Sequence, residues 1–155
     1  GLPLEQMIER ASRVFCESTL PTHYATLVCG KTDPSGLVEI CNAGHLPPML
    51  FHEGKVRQIE ATGLPVGIFC NEHFTANRVQ LEKGDTLLLY TDGFSEALNG
   101  AGSEYGPERL ASLLTANNGL QPRTLLDACM SDWLSFSDGR RINDDVTLMA
   151  IQRSH

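Results

Sequence analysis

Positive charge is scarce in this chain: 12 Lys and Arg stand against 19 Asp and Glu, a net charge of −7. That balance excludes the basic footprint that nucleic acid or an anionic membrane surface would require. An acidic chain that handles phosphate would instead borrow its positive charge from a metal ion. Cysteines number five, an odd set too sparse for a disulfide scaffold at this length. No two of them form a C-x-x-C pair, so a structural zinc knot has no ligands of the right spacing. The sequence therefore predicts Cys16, Cys29, Cys41, Cys70 and Cys129 to be small buried hydrophobes in a reducing cytoplasm. A cysteine phosphatase would need C-x5-R, but the residues six places on are Thr22, Ser35, Pro47, Ala76 and Ser135. The apolar runs are too short to span a bilayer, so no membrane partner is expected. There is no initiator Met and no signal-like start, and the opening GLPLEQ already lies inside a helical pattern. The expectation is a piece of a longer chain.

What the sequence does hold is an ordinary globular composition. Its 155 residues, 41% hydrophobic and 20% charged, suit one soluble domain with a real core. Leu4, Met7, Ile8, Ala11, Val14 and Phe15 recur at helical spacing and predict an apolar stripe on a first helix. Strand patterns follow at 24–31 and 37–43 around an Asp-Pro-Ser-Gly turn, and again at 49–51 and 55–59. These two hairpins read as one antiparallel meander. Residues 61–67 carry too much Gly and Pro for a regular element. Residues 74–81 and 86–90 have strand character, the latter apolar on both faces as in the middle of a sandwich. Helices are predicted at 107–116 and 122–136, and 146–151 closes the chain as a second fully apolar strand. The order of one helix, about six strands, two or three helices and a strand gives an α+β layered domain.

Two acidic features share one setting. The run 87–90 leads into Thr91-Asp92-Gly93, and Asn143-Asp144-Asp145 leads into the run 146–151. A carboxylate at the end of a buried strand stands where core meets solvent, and a glycine beside it lets the backbone turn sharply. Such carboxylates would repel one another unless a cation lay between them. Oxygen-only ligation suits Mg²⁺ or Mn²⁺ rather than zinc. Asp beside Gly is also a common turn, and Asn-Asp-Asp a good cap, so composition and spacing leave a turn and a metal site both open.

Other candidates are weaker. His45, in the tight loop 42–48, reads as a hydrogen-bonded loop residue rather than a ligand, since no second His lies at metal spacing. Gly100-Ala101-Gly102 lacks the third glycine of a phosphate cradle, and Ser95 lacks a G-x-S-x-G elbow. Glu96 reads as a helix-start carboxylate facing the dipole.

The segments NAGHLPP (42–48), ATGLPVGI (61–68), GDTLLLYTDGFSEA (84–97), EYGPERL (104–110) and NDDVTLMAI (143–151) occur in that order with ordinary gaps. Together they resemble the bacterial, stage II sporulation E-like branch of the PPM-type metal-dependent protein serine/threonine phosphatases. The helix at 4–19 and the hairpin at 24–43 fit the same resemblance, which covers essentially the whole chain.

The resemblance implies an α-β-β-α sandwich of antiparallel sheets flanked by helices, with Mn²⁺ or Mg²⁺ in a two-metal centre. It implies hydrolysis of phosphoserine or phosphothreonine by a metal-activated water, with no phosphoenzyme. Carried over residue by residue, it makes Asp92 and Asp144 metal ligands with catalytic roles, and keeps Asp145 as the alternative ligand. Its typical substrates are phosphorylated anti-sigma-factor antagonists, which implies a cytoplasmic signalling role. One departure counts against a complete centre: the family's earlier G-D-V-x-G-H-G-like segment, with its metal-bridging Asp, has no counterpart here, and Asp138-Gly139 does not fit it. The expectation is that residues 1–155 are the C-terminal two-thirds of a phosphatase domain without its N-terminal strands. An uncovered sheet edge would then favour self-association. The competing reading is a non-catalytic pseudophosphatase that serves as a protein-binding regulatory module.

Overall fold

A computed structural model of the chain describes residues 1–138 and 144–154. They form two compact units, one of residues 1–47 and 59–81, the other of residues 48–58 and 82–155. Among the described residues the elements run helix, six strands, three helices, strand, in the order the sequence predicts.

The first unit places helix α1 (Leu4–Ser18) with a three-stranded antiparallel sheet of order β1-β2-β5. Strands β1 (Leu27–Thr32) and β2 (Leu37–Ala43) pair from Leu27↔Ala43 to Thr32↔Val38, and β5 (Asn77–Gln80) lies along the other edge of β2. Asp33 closes the hairpin: its Oδ1 accepts from the Ser35 amide at 2.8 Å, the Ser35 hydroxyl at 2.6 Å and the Leu37 amide at 3.2 Å. The Ser35 hydrogen bond holds the Asp33 carboxyl below its ordinary value. The core joins Leu4 and Ile8 of α1 to Cys41, Ala43, Val66 and Phe74, with Phe15 packed beside them.

The predicted stripe on α1 is only half buried. Leu4, Ile8 and Ser12 face the core, whereas Met7 and Val14 are 50% and 61% exposed. At about 100° per residue, positions 7 and 14 fall on the flank of the 4-8-12-15 face. The Ser12 hydroxyl is buried there without a hydrogen-bond partner among the described residues.

The second unit holds a four-stranded antiparallel sheet of order β4-β3-β6-β7. Strands β3 (Met49–His52) and β4 (Lys55–Gln58) are joined through Glu53 and Gly54, both at positive φ (47° and 78°), as a two-residue hairpin turn requires. Strand β6 (Thr86–Tyr90) pairs with β3 on one side and with β7 (Leu148–Gln152) on the other, from Thr86↔Gln152 to Tyr90↔Leu148. Helix α2 (Asp92–Ser95) is a single turn, followed by α3 (Pro107–Ala116) and α4 (Pro122–Ser137). Each of the two longer helices has Pro at its start, where the missing N–H costs nothing.

Three expectations are corrected. The two hairpins do not form one meander: β1-β2 and β3-β4 lie in different sheets, because β2 pairs with β5 and β3 with β6. The closing strand is not fully buried. It lies at the edge of its sheet, with alternate residues turned outward and Met149 and Ile151 52% and 39% exposed. Lastly, Cys16 and Cys70 are joined by a disulfide, so the reading of five buried thiols holds for Cys41 and Cys129 but not for this pair.

Candidate metal centre

Antiparallel pairing of β6 with β7 sets the end of one strand beside the start of the other. With Tyr90 opposite Leu148, Thr91 and Asp92 leave the sheet where residues 144–147 enter it. Thr91 stitches the two segments together. Its amide donates to the Thr147 carbonyl at 3.2 Å, its hydroxyl donates to the Asp145 carbonyl at 3.2 Å, and the same oxygen accepts from the Thr147 amide at 3.0 Å. Gly93 lies against the partner segment so closely that a Cβ there would collide with the Asp145 carbonyl. Only glycine permits that approach.

The loop is anchored from below by aromatic side chains. Phe94 is fully buried, stacked on Trp133 at 5.9 Å between ring centroids and edge-on to Tyr105 at 5.0 Å. The Trp133 indole N–H donates to the Phe94 carbonyl at 2.8 Å. Tyr105 in turn donates from its hydroxyl to Asp132 at 2.7 Å, and Arg109 grips the same carboxylate through two bonds of 2.8 and 2.9 Å. The Arg109 bond holds the Asp132 carboxyl below its ordinary value. Burial, then the Asp132 bond, push the Tyr105 hydroxyl far up.

Asp92, Asp144 and Asp145 are all exposed on these two segments. Asp92 Oδ1 accepts from the Gly93 amide at 3.0 Å, and Asp144 Oδ1 accepts from the Asp145 amide at 2.7 Å. Each carboxylate thus spends one oxygen on the amide that follows it, and neither has a cationic side-chain partner among the described residues. All-oxygen donors without His or Cys fit a hard divalent cation. The set is partial: among the described residues, no group of three or more His, Cys, Asp or Glu side chains could hold a metal ion. Asn143 and Gly139 lie outside the described residues, while Asp138 ends α4 in the left-handed conformation, φ 48°.

His45 is a hydrogen-bonded loop residue: its amide donates to Asn42 Oδ1 at 2.8 Å, the Asn42 side-chain amide donates to the His45 carbonyl at 3.0 Å, and its Nδ1 lies 3.1 Å from the Leu46 carbonyl. Glu96 is not a helix-start carboxylate, since it caps the C-terminus of α2, where its amide donates to the Asp92 carbonyl at 2.8 Å. Sequence reasoning missed Thr91, whose β-branched side chain at a strand end was the available signal. It also missed His52 and Asp85, whose Nδ1 and Oδ2 meet at 2.8 Å across 33 residues, a separation that periodicity does not record.

The Stage II sporulation protein E (SpoIIE) family model matches residues 1–154. The chain belongs to the SpoIIE family. Protein IcfG of Synechocystis sp. is 33% identical over 133 residues, 84% of this chain and 21% of IcfG. The crystal structure of the RsbU and RsbW domains of Rv1364c from Mycobacterium tuberculosis superposes with a TM-score of 0.77 at 29% identity, covering 99% of this chain and 42% of that one. The phosphatase domain of SpoIIE from Bacillus subtilis, presoaked with Mn, gives 0.71 at 17% identity, covering 100% of this chain and 68% of that one. The SpoIIE-family chain therefore has the fold of that phosphatase domain and spans about a fifth of the curated relative it matches. None of the helices among the described residues is long and apolar enough to cross a membrane.

Proposed function

We propose that this chain is part of a cytoplasmic, metal-dependent protein serine/threonine phosphatase that removes phosphate from a signalling protein such as an anti-sigma-factor antagonist. The single observation that carries the reading is the close approach of Gly93 to the Asp145 carbonyl, which brings the Asp92 and Asp144–Asp145 segments together. Membership of the SpoIIE family, and likeness to a solved chain with an RsbU domain, support the regulatory role. In this reading Asp92 and Asp144 hold Mn²⁺ or Mg²⁺, with Asp145 as the alternative ligand.

A divalent ion bound there supplies Lewis acidity toward a phosphoryl oxygen and a nucleophile at neutral pH. The chain's own residues do the positioning. Thr91 fixes the two acidic segments in register through its amide and both faces of its hydroxyl. Gly93 removes the side chain that would force them apart. Phe94 and Trp133 seal the underside of the loop from water and hold its backbone by the indole bond, so the carboxylates are presented on a rigid turn.

The test is Mn²⁺-dependent hydrolysis of a phosphoserine peptide by the chain, beside Asp92→Asn and Asp144→Asn. Turnover that disappears in both variants supports the reading, and turnover that survives in both overturns it. A second reading, a non-catalytic regulatory module of the same fold, draws on the partial donor set among the described residues. It is favoured if none of the three proteins turns over. Self-association along the exposed edge of β7 belongs to the same proposal, and a clean monomer by light scattering at high micromolar concentration would remove it.

A further inference from the structure

Cys16, in the last turn of α1, is bonded to Cys70 in the irregular segment between β4 and β5, 54 residues along the chain. Cys70 is exposed and Cys16 half-buried, so the bond is open to attack by a thiolate from solvent. The other three cysteines differ: Cys41 and Cys129 are fully buried, and Cys29 is partly covered. Burial pushes the Cys41 and Cys129 thiols up, which keeps both inert toward exchange.

The disulfide crosses a particular joint. The Phe15 ring, one residue before Cys16, covers Gly67, where a Cβ would come within 2.6 Å of the ring and 3.0 Å of the His23 carbonyl. Gly67 has φ 94°, a conformation that itself favours glycine. Val66 and Ala25 exchange both backbone hydrogen bonds, at 2.8 and 2.9 Å. Glu9 of α1 meets His73 at 3.0 Å beyond the disulfide. On its far side the segment rests on the 42–45 turn, where the Thr62 amide donates to the Asn42 carbonyl at 2.9 Å and the Pro65 ring abuts Gly44. The covalent link thus adds to the packing of Leu4 and Ile8 on Val66 and Phe74 in holding α1 to the segment that supports the 42–45 turn. Between Gly67 and Cys70 the segment turns Ile68 and Phe69 outward, 41% and 58% exposed, so little apolar burial holds it there once the bond is gone.

We propose that Cys16–Cys70 is a redox-exchangeable tether: thiol–disulfide exchange at this bond switches residues 61–76 between a form pinned to α1 and a loosened form, without unfolding the sheet beneath. A dithiol reductant attacks one sulfur as thiolate and forms a mixed disulfide. Its second thiolate then closes the reductant's own disulfide, and Cys16 and Cys70 leave as thiols carrying the reductant's two protons. Glutathione disulfide reverses the step, yielding the protein disulfide and two glutathione thiols.

The 155-residue chain, oxidised with glutathione disulfide, is examined by non-reducing peptide mapping and then by hydrogen exchange before and after reduction with dithiothreitol in native buffer. The expected map contains a peptide linking residues 16 and 70. On reduction, exchange at the Thr62, Val66 and Ile68 amides rises by roughly tenfold or more, while Leu88 and Leu89 in β6 do not change. Reoxidation restores protection, and Cys16→Ser or Cys70→Ser reproduces the reduced behaviour without reductant. Absence of the linked peptide overturns the proposal. So does a bond that opens only in denaturant, unchanged exchange after reduction, or a rise shared equally by β6. Should the serine variants fail to fold, the reduction and reoxidation cycle of the unmodified chain decides alone.

Discussion

Two loops that carry family motifs in this chain are held by different chemistry. The 91–95 turn is fixed by noncovalent means: bonds from the Thr91 amide and hydroxyl to the 145–147 backbone, a glycine contact on the Asp145 carbonyl, and an aromatic floor under Phe94. The 61–76 segment has a smaller apolar footing in Val66 and Phe74 and is stapled by Cys16–Cys70. Core packing gives a rigid turn whose integrity depends on a well-filled interior. A staple gives a segment whose order depends on solution conditions. The proposed metal-holding loop has the first kind of support, which suits a site that must keep carboxylates in place through each cycle.

The largest expected effect breaks the aromatic floor. Trp133→Ala removes a fully buried ring and leaves the Phe94 carbonyl without its donor, at a cost of about 3–5 kcal/mol. Urea unfolding followed by far-ultraviolet circular dichroism reads it, and a loss below about 1 kcal/mol would show that the floor does not support the turn. Next is Gly93→Ala, whose added methyl meets backbone rather than a movable side-chain end. Overpacking of that kind costs about 1–3 kcal/mol, and the same measurement should show it. In contrast, dithiothreitol should leave the size of both losses unchanged, since the Cys16–Cys70 disulfide belongs to the first unit and the turn to the second.

A smaller effect lies in the clamp beneath the floor. The Arg109 bond, then the Tyr105 hydroxyl bond, lower the Asp132 carboxyl from its ordinary 3.8. A lowered carboxyl contributes stability that is present above the unfolded value and is lost as pH falls through the folded one. Asp132→Asn should therefore cost about 1 kcal/mol near neutral pH and progressively less below pH 3.8, measured by urea midpoints across a pH series. The smallest effect is in the first unit, where Ser12→Ala removes a buried hydroxyl with no partner among the described residues. Its expected result is a neutral change or a gain of up to about 1 kcal/mol. A clear loss would reveal a partner that the packing of α1 does not display.

These contrasts also mark what the sequence could tell. Helix α3 begins at Pro107 and ends at Ala116 as periodicity predicts, because its apolar residues and its proline are local signals. The pairing of β3 with β6 was not legible, since alternation shows that a strand has a buried face but not which strand will lie beside it. The closing strand misled for a related reason. Its sequence is apolar on both faces, yet it lies at a sheet edge with Met149 and Ile151 outward. The disulfide left no trace either, because two cysteines 54 residues apart carry no spacing signal until the fold brings their Cα atoms within 5.4 Å. For the candidate site the sequence was informative: Asp92 and Asp144–Asp145 were each seen to abut an apolar strand, and the antiparallel register of β6 with β7 juxtaposes those ends. Thr91, the residue that locks them together, looked like an ordinary strand-end threonine.

The most direct measurement is Mn²⁺ binding by the chain, read from the free Mn²⁺ signal in electron paramagnetic resonance, with Asp92→Asn and Asp144→Asn titrated alongside. The expected result is a saturable site in the unmodified chain whose affinity falls roughly tenfold or more in each variant, since each removes one charged oxygen ligand. Equal binding by all three proteins, or none by the unmodified chain, would contradict the assignment of these carboxylates as the metal-holding pair.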